Sequence, residues 1–308
     1  MVLYFIVNLH SKSGYARVIW KQVKGLLQNQ NVKYEVYFTE YKGHATKLVK
    51  RITEGNEKLR LVVLGGDGTM NEVVNGITHL DNVIIGYIPT GSSNDLARSL
   101  KLPSKPREAI LNILKPKYFQ KLDLGEVTAS SNTRRFVVSM GIGFDASICH
   151  EALDSKLKAV LNKIKLGKLT YVGIALKQLA KFKTEGATII MDGKLSRNYK
   201  EIYFISSHIH KYEGGGLKLC PQADYQDGML DICVVNKLSK IKFLLLLPTA
   251  FTGKHIRHKA VDIIRCRELS IKTSNMLPVH ADGESLGKQN YVTVKSIPEK
   301  LTIIAGNI

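Results

Sequence analysis

Two short stretches of this chain carry side chains whose spacing suits chemistry. The first is Gly65-Gly-Asp-Gly-Thr-Met-Asn71, which follows the apolar run Leu61–Leu64. A buried strand, a glycine turn and a helix start make a phosphate seat. The helix N-terminus supplies N–H donors and the positive end of its dipole, and absent Cβ atoms let a ligand approach the backbone. Thr69 with Glu72 three residues on reads as a capping box, so the helix is expected to begin at Thr69. Asp67 is the odd member, because a carboxylate repels phosphates unless a cation lies between them. It therefore points to a magnesium nucleotide rather than a bare anion. The second stretch is Asp282-Gly-Glu284. Its Asp-Gly reads first as a turn between β runs. Glu284, straight after that turn, has the reach of a general base.

Other candidates are weaker. Asp224, Asp227 and Asp231 precede an apolar run, and Asp227-Gly228 again reads as a turn. The pairs His208/His210 and His255/His258 show no evident acidic or cysteine partner and read as surface or satisfied histidines rather than metal ligands. Cys149, Cys220, Cys233 and Cys266 form no Cys-x-x-Cys pair, so reduced thiols are expected, with neither a disulfide framework nor a zinc site. No Gly-x₄-Gly-Lys-Ser/Thr segment occurs, and Gly141-Ile-Gly143 lacks the third glycine of a dinucleotide fingerprint.

These residues need a scaffold, and 308 residues with 44% hydrophobic content suffice for two domains. The charge is unusual: 45 Lys+Arg against 26 Asp+Glu gives +19, with a pI near 9.7. Such a balance favours an anionic partner, either nucleic acid or an anionic membrane surface. One basic, apolar-interleaved segment runs from Lys156 to Lys183 with eight lysines and no acid. It suits either an anionic membrane or a core-packed helix with solvated lysines. A second basic block, 237–272, contains Lys254, Arg257, Lys259, Arg265 and Arg267 but no recognisable nucleic-acid motif. The apolar start, Met1 to Val7, reads as a first strand rather than a leader, and no run is long enough to span a bilayer.

Along the first 124 residues, strands at Tyr4–Asn8, Val32–Thr39, Leu61–Leu64 and Val83–Ile88 alternate with helical patterns, one presenting Val18, Ile19, Val23, Leu26 and Leu27 on a single face. That rhythm implies βαβ units, a parallel sheet, and loops gathered at the strand carboxyl ends: 8–14, Thr39, 65–71 and 90–95. From about Leu122 short β runs dominate, at 135–140, 187–191, 201–206, 230–235, 269–273, 291–295 and 301–304. They suggest an antiparallel sandwich interrupted by one helical segment over about 154–182.

Gly65–Asn71, Gly91-Ser-Ser-Asn-Asp95, Gly141-Ile-Gly-Phe-Asp-Ala146, Asp227-Gly228 and Asp282-Gly-Glu284, in this order and spacing, resemble the diacylglycerol kinase catalytic domain family, nearest the bacterial soluble lipid kinases of the diacylglycerol kinase B and YegS type. The resemblance covers essentially the whole chain. It implies an α/β ATP-binding domain of NAD kinase/phosphofructokinase-like type over 1–124, to which about 305–308 return. It also implies a larger, mainly antiparallel β-sandwich lipid-substrate domain over 125–304, with the active site in the cleft between the two. By position it implies that Asn8, Ser11, Lys12, Ser13, Gly14, Thr39, Gly65, Gly66, Asp67, Gly68, Thr69, Met70, Asn71, Ser92, Asn94 and Asp95 hold ATP. Asp67 would organise Mg²⁺ and phosphates, and Glu284 would be the catalytic base. Asp227, with the backbone carbonyls of Asp224 and Met229, would hold a structural Mg²⁺. Leu9, Lys12 and Ser92 depart from the residues usual in the family, Pro, Gly and Thr.

The implied activity is transfer of the ATP γ-phosphate to diacylglycerol, giving phosphatidic acid, in the cytoplasm at the inner face of a bacterial membrane. The expected contact with that anionic membrane is peripheral, nucleic acid is not an expected partner, and a homodimer is the base-rate expectation. Alternatives are another lipid acceptor (sphingoid base, ceramide or monoacylglycerol), NAD, or a non-enzymatic basic binding protein.

Overall fold

The computed structural model describes residues 2–154 and 167–306. The chain divides into two compact units, one of 1–124, 214–216 and 298–308, the other of 125–213 and 217–297. The return to the first unit thus begins at Pro298, well before 305, and a three-glycine insertion at 214–216 also belongs there.

The first unit runs β1 (Leu3–Val7), α1 (Ala16–Asn29), β2 (Tyr34–Phe38), α2 (His44–Ile52), β3 (Leu59–Gly65), α3 (Asp67–Gly76), β4 (Val83–Pro89), α4 (Asp95–Ser99) and α5 (Pro106–Leu114). Its strands pair in parallel in the order β2-β1-β3-β4, and Thr302 and Ile303 of the chain's last strand add in parallel beside Ile84 and Ile85. The order reverses at the β1/β3 pair. In open α/β sheets that switch point leaves a crevice at the strand carboxyl ends, because the following connections leave to opposite faces. The loops after β1 and β3, which contain Asn8 and Asp67, both start there.

Nearly continuous apolar runs make β3 and β4 buried strands, as a sheet covered on both faces requires. α1 buries Ile19, Trp20, Val23 and Leu27. Val18, expected on that face, is exposed, and Trp20 takes the inward place, its ring 5.5 Å from Phe5 and 5.9 Å from Phe38.

β5 (Phe119–Ala129) carries the chain into the second unit. There follow β6 (Asn132–Phe136), β7 (Ser139–Gly143), α6 (Phe144–Asp154), α7 (Gly167–Lys181), β8 (Glu185–Met191), β9 (Leu195–His208), β10 (Leu230–Asn236), α8 (Lys240–Leu246), β11 (Val261–Cys266), β12 (Glu268–Ala281) and β13 (Glu284–Ile304). Strand pairing within this unit is antiparallel. Long β9 and β12 each change partners along their length: the first half of each pairs with β8 and the second with β7. Val127, Phe136, Ile142, Ile205, Ile232, Ile271 and Val294 fill the enclosed core.

Several elements differ from their sequence reading. The run 135–140 is two strands, β6 and β7. The runs 291–295 and 301–304 lie on one strand, β13, and β11 and α6 are additional. Of the basic segment 156–183, residues 156–166 lie outside the described residues. Among the described residues no helix is long and apolar enough to cross a membrane.

Candidate active site

In the first unit three strand-end loops lock together. Asn8 takes its place by donating its N–H to Leu64 O, at 2.9 Å, on the neighbouring strand. Its Nδ2 then donates to Thr69 Oγ1 at 3.0 Å, and its Oδ1 accepts the His10 N–H at 3.0 Å. Ser11 Oγ lies 2.6 Å from Thr90 Oγ1, which joins the first loop to the loop after β4. The β3 and β4 loops press glycine against glycine: a Cβ on Gly66 would stand 2.9 Å from Gly91 Cα, and one on Gly91 would stand 2.7 Å from Gly66 Cα. Asn94, at φ 50°, closes the third loop by accepting the Gly91 N–H at 2.8 Å and donating to Gly91 O at 3.0 Å.

α3 begins at Asp67, two residues before the expected start, and no side chain caps it. The capping box does not form because both members have other work. Thr69 holds Asn8, while the Glu72 carboxylate accepts the N–H groups of Gly43 and Ala45 at 2.8 and 3.1 Å and so caps α2 instead. Asp67 Oδ2 accepts the Asp95 N–H at 3.2 Å at the start of α4. Asp95 is buried, pairs with Arg98 through Oδ1, and accepts the Gly215 N–H at 2.8 Å through Oδ2. Two carboxylates thus share one corner of the unit. Beneath them burial pushes the Tyr87 hydroxyl well above its ordinary pKa, and the charges of Asp67 and Asp95 push it further.

The remaining expected nucleotide residues are placed less closely. Lys12 and Gly14 have positive φ, 51° and 88°, in the 3-10 turn Ser11–Gly14 that also contains Ser13. The Thr39 N–H donates to Val7 O, and Ser92 is exposed at the loop tip. Gly68 lies in the first turn of α3. Met70 and Asn71 are fully buried, so Met70 can offer a ligand only backbone. Thr90, Arg98 and Gly215 belong to this constellation without having been singled out in the sequence. Arg98 follows the loop by one helical turn, but Gly215 lies 120 residues away and carries no local signal.

In the second unit Asp282 and Gly283 form a two-residue hairpin loop, both at positive φ (49° and 82°), between Ala281 and Glu284, which pair across β12 and β13. That backbone is a type I′ turn, for which Asp-Gly is favoured. The Asp282 carboxylate does not face solvent: it accepts the N–H groups of Val137, Val138 and Ser139 at 2.8, 2.8 and 3.0 Å. This three-bond clamp is why the chain breaks between β6 and β7. It also fixes the turn from which Glu284 projects, half-buried.

Next to the turn stands a cluster of buried and half-buried polar groups that sequence reading missed. His280 Nε2 lies 3.4 Å from Asp145 Oδ2 and 3.3 Å from Glu213 Oε1, and the three ligand-type atoms fall within 4.8 Å of one another. His208, expected to lack an acidic partner, is buried with Nε2 3.4 Å from Glu213 Oε2. Gly141 makes room for the group, since any Cβ there would collide with the Asp145 carboxylate and stand 2.8 Å from His280 Nε2. The donor set is of a kind that holds metals. However, the Gly283 N–H donates to His280 Nδ1 at 3.2 Å, which leaves the ring proton on Nε2. The protonated Nε2 therefore faces the two carboxylates, 3.3 and 3.4 Å away, rather than offering a lone pair to a cation. Burial raises the Asp145 pKa, with the like charge of Glu213 adding and His280 opposing, so a proton is readily held within this group.

The acidic turn is the last element. Asp224 Oδ1 accepts the Gln226 N–H and Asp227 Oδ1 the Met229 N–H, at 3.0 and 2.9 Å, while Arg265 pairs with Asp227 and lies 3.6 Å from Asp231. Asp231 is buried, and its Oδ2 has no hydrogen-bond partner. Burial, with Asp227 and Asp224 adding against the opposing Arg265, pushes its pKa up to about 6. Three carboxylates against one guanidinium suit a further cation by charge.

A 2-1-3-4 parallel sheet with glycine-tight loops at its switch point, followed by an antiparallel β-rich unit, defines a two-part kinase fold of the diacylglycerol kinase and NAD kinase type. Residues 2–127 match the diacylglycerol kinase catalytic domain model, and 139–305 match the YegS C-terminal NAD kinase beta sandwich-like domain. The chain belongs to this family of lipid kinases. It is 31% identical to "Putative lipid kinase YtlR" of Bacillus subtilis (strain 168) over 97% of this chain and 98% of the relative, and 28% identical to a diacylglycerol kinase of the same organism over 82% of each. Among solved structures, a "putative diacylglycerol kinase" from Bacillus anthracis str. Sterne superposes with TM-score 0.76 at 22% identity, covering 99% of this chain and 95% of that one. An NAD kinase from Archaeoglobus fulgidus in complex with ATP superposes with TM-score 0.53 at 13% identity, covering 99% and 93%.

Proposed function

We propose that the protein is an ATP- and Mg²⁺-dependent lipid kinase that transfers the γ-phosphate of ATP to the hydroxyl of diacylglycerol, giving phosphatidic acid. The observation that carries this reading is Asp67, a carboxylate at the first turn of α3 where glycine-tight loops let a phosphate approach backbone N–H groups. An acid there serves a phosphate ligand only through a cation, and a carboxylate oxygen is the kind of ligand Mg²⁺ prefers. Bound there, Mg²⁺ would neutralise phosphate charge as it develops in the transition state. In this reading 8–14, Thr39, 65–71, Ser92 and 94–95 hold the nucleotide, with Met70 contributing backbone alone.

The acceptor oxygen attacks the γ-phosphorus as the bond to the β-γ bridging oxygen breaks, leaving ADP, and the hydroxyl proton passes to Glu284. A general base of this kind is worth about 10²- to 10⁴-fold. Asp227, with the carbonyls of Asp224 and Met229, would hold a second, structural Mg²⁺; the surplus of carboxylates around Arg265 supports that assignment. The lipid acceptor is favoured over NAD because the relatives similar in sequence along most of the chain are a putative lipid kinase and diacylglycerol kinases, whereas the NAD kinase likeness is one of fold.

Transfer of labelled γ-phosphate to diacylglycerol in anionic mixed micelles tests the reading. Asp67→Ala and Glu284→Ala are expected to lose at least about 10²-fold in kcat. Full activity in both, or transfer to NAD with none to lipid, would overturn it.

A further inference from the structure

α8 is the place where this molecule breaks the rule that one face of a surface helix is polar. Its sequence, Lys-Ile-Lys-Phe-Leu-Leu-Leu, continues into Leu-Pro-Thr-Ala-Phe-Thr252. One side is spent on the core of the second unit: Phe243 is 1% exposed and stacks on Tyr203 at 4.2 Å, and Ala250 is buried. The other side carries a second apolar stripe in which Ile241 is 74%, Leu244 41% and Leu245 70% exposed, at i, i+3 and i+4, with Phe251 56% exposed beyond it. A helix that is hydrophobic all round is normally buried all round, and a contiguous exposed apolar patch marks an interaction site.

The rim identifies the partner's chemistry. From Lys237 to Val261 there are six Lys/Arg residues (Lys237, Lys240, Lys242, Lys254, Arg257 and Lys259) and no acid. All six are exposed. Lys240 Nζ is engaged with Ala180 O at 2.7 Å, so the cations next along the chain from the stripe are Lys242 and, past the 3-10 turn, Lys254 and Arg257. Apolar side chains flanked by lysine and arginine match the acyl and phosphate layers of an anionic bilayer, into which such a face sinks while its cations meet headgroups. A second copy of this chain is a poorer occupant, because a two-fold contact would bring these like charges together.

We propose that the segment Lys240–Arg257 is the surface by which this protein docks on anionic membranes, with Ile241, Leu244, Leu245 and Phe251 inserted and Lys242, Lys254 and Arg257 on headgroup phosphates. The proposal deepens the lipid-acceptor reading and rests on it for the reason a membrane is visited at all.

Co-sedimentation with vesicles of phosphatidylcholine, with and without phosphatidylglycerol, tests the surface in the absence of nucleotide. Wild-type protein is expected to partition onto the phosphatidylglycerol vesicles. Ile241→Ser/Leu245→Ser is expected to weaken partitioning by more than about tenfold. Lys242→Gln, Lys254→Gln and Arg257→Gln are each expected to weaken it by about fivefold at low salt. Leu195→Ser, at an equally exposed leucine on β9, controls for general stickiness and is expected to change nothing. Urea midpoints report that each variant is folded.

Wild-type partitioning retained in Ile241→Ser/Leu245→Ser, absent in the wild type, or equally reduced by Leu195→Ser overturns the proposal. So does a wild-type dimer that the same double variant dissociates while vesicle binding persists. Phosphorylation of a short-chain, monomeric diacylglycerol separates the two readings. Partitioning without any transfer overturns the acceptor and leaves the surface standing, whereas transfer without partitioning does the reverse.

Discussion

Asp282 sits beside the proposed base and works as a clamp. Three backbone N–H groups converge on its carboxylate, and hydrogen bonds to a charged acceptor contribute more than neutral ones. Asp282→Ala would leave three donors at the β6–β7 corner without that acceptor and release the turn from which Glu284 projects. A loss of about 3 kcal/mol in urea unfolding is expected, with Asp282→Asn recovering part of it through its one carbonyl. A change under about 0.5 kcal/mol would mean that the corner is held otherwise.

Asp231 predicts the opposite sign. Its folded-state pKa is raised from 3.8 to about 6, so the folded protein keeps a proton that the unfolded chain gives up, and stability falls as pH rises through that window. The shift corresponds to a ceiling of about 3 kcal/mol, fully exacted above the folded pKa. Urea titrations from pH 4 to 7 should therefore show Asp231→Asn gaining on the wild type as pH rises. If the acidic turn holds Mg²⁺, adding the cation at pH 7 restores the wild type and leaves Asp231→Asn little changed. A difference between the two proteins that does not vary with pH would refute the burial argument.

At the scale of elements, the contact between the β3 and β4 loops admits no side chain. Gly91→Ala would place a Cβ 2.7 Å from Gly66 Cα and 2.8 Å from Asn94 Oδ1, and backbone cannot yield as a flexible side-chain end can. The expected outcome is a folded protein whose KM for ATP rises at least about tenfold, because misplaced loop amides forfeit positioned phosphate contacts worth more than about 1.4 kcal/mol. Unchanged KM would remove this loop from the nucleotide's surroundings.

The same loops show what a sequence can disclose. Strands with unbroken apolar runs, such as β3 and β4, and the glycine turns that end them are local, and they were legible. Glu72 was misread because its spacing from Thr69 fits a capping box, yet the amides it serves belong to α2, and nothing in 69–72 records which helix end lies nearer. β6 and β7 were read as one strand because Val137 and Val138 are good strand residues; the break comes from Asp282, 144 residues away from Val138. The His280 cluster draws on Asp145 and Glu213 across three segments, and only folding brings them together. His208 and His210, which read as surface or satisfied histidines, are both buried, His208 beside Glu213 and His210 stacked on Tyr225.

For the molecule as a whole the dominant quantity is a net charge of +19. A charge so far from zero opposes compactness by self-repulsion, whereas individual exposed pairs such as Lys105–Glu108 contribute little. Salt acts on the two in opposite directions. It screens the repulsion, which stabilises, and it screens favourable pairs, which destabilises. At an ionic strength of about 0.1 M the Debye length falls to about 10 Å, short against the span of a chain this size but long against a contact pair, so the repulsive sum is screened first. The melting temperature is therefore expected to rise by several degrees between about 10 mM and 150 mM sodium chloride and then to level off. A monotonic fall would show that contact pairs outweigh the net charge. Anionic vesicles should do the same in place of salt, neutralising the charge where Lys242, Lys254 and Arg257 stand. Their stabilising effect should shrink as salt is added, whereas any part contributed by the inserted Ile241 and Leu245 should persist.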